Sequence, residues 1–214
     1  MEEGIPLLST AYFAPAQYFS KIVSSSMVCI EKHENYTKQT YRNRCNIYSA
    51  NGELTLSYPV KKGPDPKTNI TGIRLDYDIP WTRVHFKAIE SAYRNTPFYE
   101  FYIDDIRPFF ERKYEFLFEF NKQILFKLIE LLEINTEIQF TKKFIVPGTP
   151  GYKDYRYTIH PKPQKNIPDD EFHPKEYLQA FAPKYGFIPN LSILDLLFNE
   201  GPQSKDLLKN CLVS

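Results

Sequence analysis

Residues 4–33 read GIPLLSTAYFAPAQYFSKIVSSSMVCIEKH, and the hydrophobic spacing changes twice within them. Around Leu7 and Leu8 the run is short and apolar, which predicts a strand with both leucines in the core. Ala16, Phe19 and Val23 then recur at helical spacing behind Pro15, a residue suited to a first turn, so residues 14–26 predict a helix. The apolar SMVCIEKH at 26–33 returns to a strand. A chain that opens strand, helix, strand belongs to the mixed α/β class.

Downstream, residues 40–60 are TYRNRCNIYSANGELTLSYPV. Asn51-Gly52 supplies the positive φ angles of a type I′ turn, so this segment predicts a β-hairpin. NITGIRLDY at 69–77 predicts a further strand. Past residue 80 the period becomes helical. Residues 80–96 form one predicted helix with Pro80 early in its first turn, and 98–113 a second, interrupted around Pro108. Residues 115–134 form the strongest, with Leu117, Asn121, Ile124, Leu128 and Leu131 on one stripe. EIQFTKKFI at 137–145 is again a strand.

From Pro147 to Pro174 there are six prolines and two glycines, too long and loose for an ordinary connection. Beyond it, PKEYLQAF at 174–181 predicts a helix, and PNLSILDLLFNEGP at 189–202 another, capped by Asn190 and stopped by Gly201-Pro202. The expected architecture is one α/β domain: a mixed sheet with the Asn-Gly hairpin and packed helices in 1–146. A Pro-rich arm over 147–176 should lie near the arginines of the hairpin, and a C-terminal helical segment over 177–214 should contain a short buried helix.

The formal net charge of +1 over 214 residues lacks the basic excess of a nucleic-acid binder. No apolar run approaches the roughly 20 residues that span a bilayer, so no membrane insertion is expected. Three isolated cysteines and an acidic start without a signal-peptide pattern predict a reducing, cytoplasmic setting. No P-loop, GxGxxG or GxSxG occurs, no histidine pair has metal-ligand spacing, and the sequence identifies no cofactor and fixes no oligomeric state.

Several residues carry candidate chemistry. Residues two apart share a strand face, so Arg42, Arg44 and Asn46 should lie opposite the core-facing Cys45 and Ile47. The two arginines then form either a paired anion site or a solvated face with surface ion pairs. Asp195 lies in LSILDLLF, apolar nearly all round, and a buried carboxylate there is either a structural partner or an acid or base. Trp81 and His85, at i and i+4, share a helix face, and His85 is either a proton carrier or a satisfied structural histidine.

TAYFAPAQYFSKI, YRNRCNI, NGELTLSYPV, the Trp81–His85 pair, AYRNTPFYEFY and PNLSILDLLFNEGP follow one another in this order. That series resembles the WbqC-like family in its Bacteroidetes-type form, from Leu8 to about Pro202. Where the family usually carries Gln-Pro ahead of the aromatic pair, this chain has Thr10-Ala11. The resemblance implies a link to gene clusters for O-antigen and other surface polysaccharides. It implies a small-molecule substrate such as a nucleotide sugar, and a sugar-modifying or aminoacyl/acyl-type transfer. By matching position, it implies ligand-binding roles for Tyr12, Tyr18, Arg42, Asn43, Arg44, Trp81 and Tyr93. In this reading His85 and Asp195 are catalytic candidates and no metal is expected. The alternative is a non-catalytic protein that binds an anionic ligand or a protein partner.

Overall fold

The computed structural model describes residues 4–61, 67–162 and 167–212. Part of the Pro-rich arm, at 163–166, lies outside them. The opening stretch folds as β1 (Ile5–Ser9), α1 (Ala16–Val23) and β2 (Met27–Glu31), with the two strands parallel. The hairpin is β3 (Arg44–Ser49) and β4 (Gly52–Ser57), paired antiparallel with Ser49 opposite Gly52; Gly52 has a φ of 95° but Asn51 has no positive φ, so the hairpin forms without the type I′ turn expected at Asn51-Gly52. The helices α2 (Trp81–Tyr93), α3 (Tyr99–Ile106), α4 (Pro108–Glu111) and α5 (Leu117–Leu131) follow, then β5 (Glu137–Phe140) and β6 (Tyr152–Asp154). The chain closes with α6 (Ala182–Tyr185), α7 (Ile193–Glu200) and α8 (Ser204–Asn210).

The mixed α/β character is realised as two sheets. One is four-stranded and parallel, in the order β5-β2-β1-β6, and the other is the hairpin. From β1 the chain steps to β2 and later to β5 on one side, then returns to lay β6 on the other. The strand order therefore reverses at β1. Leu8, Val28 and Ile30 point into the main core, whereas Leu7 and Cys29 point to the opposite face and join Ile145 in a smaller cluster.

Helix α7 is buried along almost its whole length, because α1, α2, α3, α8 and β3 all pack on it. Its cap is Ser192, whose hydroxyl accepts from Leu194 N–H. Asn190, expected as that cap, serves α1 instead: its Oδ1 accepts from Gln17 N–H at 2.9 Å, and Leu191 O accepts from Ala16 N–H at 3.0 Å. Two of the amides left open at the start of α1 are thus closed from the far end of the chain.

Three further sequence expectations change. Residues 69–77 are a short 3-10 turn over Ile70–Gly72 followed by isolated bridges from Arg74 and Leu75, because the segment reaches across to Phe116 and Val60 and does not join a sheet. Residues 174–181 are not helical, because Tyr177 and Gln179 turn inward to bond Asp195, and the helix begins at Ala182. Within the Pro-rich segment, residues 152–154 pair with β1 as the fourth strand of the parallel sheet.

Candidate functional site

In open parallel sheets, ligands bind beyond the carboxyl ends of the strands, where the strand order reverses. Here that point is the crevice between the ends of β1 and β6. A narrow cleft of about 10 Å³, room for about one water molecule, lies there, lined by Leu8 to Ala11 from the end of β1 and by Tyr155, Arg156 and Ile159 from beyond β6. Tyr18 of α1, Tyr41 and Arg42 complete it.

Arg42 is held from both ends. Its carbonyl accepts from Tyr58 Oη at 3.0 Å and from Asn121 Nδ2 at 2.7 Å, which gives the Asn on the apolar stripe of α5 its buried partner. Its guanidinium donates through Nε (2.9 Å) and Nη2 to the two oxygens of Glu34, and through Nη2 to Ser9 Oγ at 2.7 Å. Ser9 in turn donates to Glu34 at 3.2 Å. Glu34 is fixed by its own backbone: its carbonyl accepts from Ile70 N–H, beside the bridge between Asn35 and Asn69. Tyr18 donates to Ser9 O at 3.0 Å, and burial first, then the neighbouring Glu34, pushes its phenol pKa up. These bonds use Arg42 Nε and Nη2 and leave Nη1 without a hydrogen-bond partner among the described residues.

The opposite wall is a second locked arginine. Arg156 donates to Asp154 (2.9 and 2.6 Å), to Glu31 at 3.1 Å and to Ile145 O at 2.8 Å, while Phe144 and Tyr157 pack against its guanidinium. Glu31 and Arg156 have fully buried side chains, and Thr141 and the Ile145 amide fill the remaining acceptor positions of Glu31. Each cation of the cleft is therefore matched by carboxylates. The segment after β6 continues beside the cleft: Lys162 contacts Gln39, and Asp169 and Glu171 grip the buried Lys21 of α1 at 2.9 and 3.4 Å. The cations around Glu171, with Tyr155 Oη donating to it at 2.6 Å, hold its carboxyl down at about 2.

The residues singled out from sequence fall into three places. Tyr18 and Arg42 line the cleft. Asn43 and Arg44 lie beside it: Asn43 Nδ2 donates to Tyr58 O at 2.7 Å, and Asn43 Oδ1 and Arg44 Nε are buried without a partner among the described residues. Strand β3 begins only at Arg44, so Arg42 and Arg44 do not form the side-by-side pair expected on one strand face; Arg42 is drawn inward by Glu34. Tyr12, Trp81 and His85 lie in the aromatic core, outside the cleft lining. Tyr12 Oη bonds His85 Nδ1 at 2.9 Å, and Trp81 and Phe120 pack on these rings. Burial lowers the His85 pKa to about 4, so the ring is neutral at pH 7. Tyr93 belongs to a third cluster, in which Asp195 accepts from Tyr93 Oη (2.9 Å), Tyr177 Oη (2.6 Å) and Gln179 Nε2 (3.0 Å). Burial raises the Asp195 carboxyl to about 6 against the pull of those three donors.

Sequence reasoning missed Ser9, Glu34 and Arg156. The available signal was positional: Ser9 ends a strand that a helix follows, where α/β sheets place their sites.

Among the described residues no His, Cys, Asp and Glu group could hold a metal ion, and no helix is long and apolar enough to cross a membrane. Residues 10–156 match the WbqC-like protein family. An uncharacterized protein of Mycobacterium tuberculosis, Rv1507c, is 23% identical over 231 aligned positions, covering 97% of this chain and 98% of the mycobacterial one. No solved structure matches the chain.

Proposed function

The chain belongs to the WbqC-like protein family, and from that premise we propose that it is a cytoplasmic enzyme of bacterial surface-polysaccharide assembly. In this reading it transfers a group to or from a phosphate-bearing or nucleotide-linked sugar, and the sugar docks over the mouth of the cleft at the ends of β1 and β6, with one hydroxyl reaching in. The observation that carries the reading is the placement of a polar, aromatic-walled cleft at the reversal point of the parallel sheet.

The chemistry of the lining suits hydroxyl groups. Ser9, Thr10 and Arg42 offer donors and acceptors in positions that Glu34 fixes from behind, and Tyr18 and Tyr41 add aromatic walls. A neutralised Arg–Glu pair orients a ligand without demanding that the ligand be charged. The second reading is a protein that binds such a ligand without transforming it. It draws support from the burial of His85 and Asp195 outside the cleft, whose lining holds no histidine among the described residues.

Thermal-shift and calorimetric titration with nucleotide sugars, sugar phosphates and acyl thioesters tests the proposal. A ligand that stabilises the protein should lose its effect in Ser9→Ala and in Thr10→Val. If no member of these classes shifts the melting temperature, or if both variants bind as the parent does, the cleft is not the sugar site. Product formation with a second substrate separates the enzyme from the binding protein.

A further inference from the structure

The cleft leaves one chemical requirement unmet. Among the described residues of its lining the cations are Arg42 and Arg156, and both are matched by carboxylates, so a diphosphate would find no unpaired positive charge in that lining. The same edge of the sheet carries a second, larger hollow of about 230 Å³. Lys32, the residue after β2, and Phe140, the last residue of β5, form its sheet side. Phe116, Glu119 and Lys122 form its α5 side, with Thr71 at the rim.

Two features distinguish this hollow from an ordinary surface groove. First, its floor is aromatic: Phe118 and Phe140 meet edge to face at 5.8 Å, and the Lys122 ammonium sits 5.7 Å over the Phe140 ring. Second, its charge is unbalanced. Lys122 has only the loosely held Glu119 at 3.4 Å, both partly exposed, and Lys32 has no acidic partner among the described residues. Planar rings, two cations and one exposed carboxylate match the parts of a nucleoside diphosphate. The base would stack on phenylalanine, the phosphates would lie between Lys32 and Lys122, and Glu119 would accept from the ribose hydroxyls.

Consecutive residues at the end of β2 serve the two hollows. Glu31 binds Arg156 in the wall of the first, and Lys32 lines the second. We propose that the Lys32–Phe116–Lys122–Phe140 hollow binds the nucleoside diphosphate part of the ligand whose sugar part docks over the mouth of the Ser9–Arg42 cleft. The proposal rests on the sugar-site reading of that cleft and supplies its missing phosphate site.

Calorimetric titration of the full chain with UDP, GDP and dTDP, and with their glucose conjugates, tests it. At least one free diphosphate should bind, with affinity falling at least tenfold in the double variant Lys32→Ala/Lys122→Ala and staying within about twofold of the parent in Ser9→Ala. The matching sugar conjugate should weaken in both variants. Both lysines are partly exposed, so an unchanged melting temperature confirms that the double variant is folded. Binding unaffected by the double variant overturns the proposal. Loss of UDP, GDP or dTDP binding in Ser9→Ala alone also overturns it, because the nucleotide would then lie in the first cleft and the sugar-site reading would need revision only in which part of the ligand it holds. Failure of all three diphosphates, with glucose 1-phosphate still binding in a Ser9-dependent way, overturns this inference and leaves the cleft intact. Failure of every probe overturns both.

Discussion

The carboxyl edge of the parallel sheet and the interior behind α2 and α7 both bury polar side chains, but they satisfy them differently. At the edge, Glu34 meets Arg42, and Glu31 meets Arg156, as full ion pairs beside open space. In the interior, Asp195 meets two tyrosines and a glutamine, and His85 meets Tyr12, with no opposite charge bonded to either. Burial pushes both interior groups toward their neutral forms, the carboxyl up and the imidazole down. Charge is thus kept where an opposite charge is bonded to it and is discouraged where only neutral partners are.

The largest expected contrast between the two regions is in stability. Arg156→Met strands the buried Glu31 without its cation and should cost about 3–5 kcal/mol. Asp195→Asn keeps most of the hydrogen bonds and removes a charge that burial disfavours, so it should cost about 1 kcal/mol or less. Denaturant midpoints of the two variants measure this, and equal losses would erase the distinction.

A second test uses pH. Unfolded His85 has a pKa near 6.5 and the folded group about 4, so between those values the unfolded chain holds more protons and stability rises with pH. Asp195 runs the other way. Its folded value of about 6 exceeds the unfolded 3.8, the folded chain holds more protons, and stability falls as pH rises through that window. Each effect is about 3 kcal/mol, so over pH 4–6 they largely cancel. Unfolding curves of Asp195→Asn should expose the rising slope, and those of His85→Asn the falling one. Parallel slopes in parent and variants would mean that one of the groups titrates at its ordinary value.

The smallest effect sharpens the boundary between the regions. Tyr18→Phe removes one hydroxyl bond to Ser9 O and should cost about 1 kcal/mol, with a larger proportional loss in ligand affinity than in stability. An affinity unchanged from the parent would detach Tyr18 from the site.

Much of the fold was legible because local periodicity carried it. The strand–helix–strand opening, the hairpin and the stripe of α5 each follow from residues close in sequence. What was not legible depends on distant partners. Residues 152–154 become a strand through backbone pairing with Ile5 to Leu7, which three residues between glycine and tyrosine cannot announce. Of the site, Arg42 and Tyr18 stood out by type and family pattern. Glu34 did not, because it lies in KHENY without periodicity and acquires its meaning only when Ser9, 25 residues away, and Arg42 are brought against it. His85 and Asp195 drew attention as titratable groups on apolar faces, and that signal marks burial as readily as chemistry.

The closure of α1 by Asn190 and Leu191 also sets a timetable for the ribosome. The contact spans 173 residues, and Ser192 Oγ and Ile193 N–H reach back in the same way to the carbonyls of Phe13 and Ala14. At about 5–20 residues per second, roughly 10–35 seconds separate synthesis of the first helix from arrival of the residues that finish it. Through that interval the nascent chain carries α1 with its leading amides open and its apolar sides unmatched by α7 and α8. The polypeptide is therefore committed to synthesis through Ile193 before its first structural unit can lock, and a chain that stops short of that residue presents the unit to chaperones and proteases.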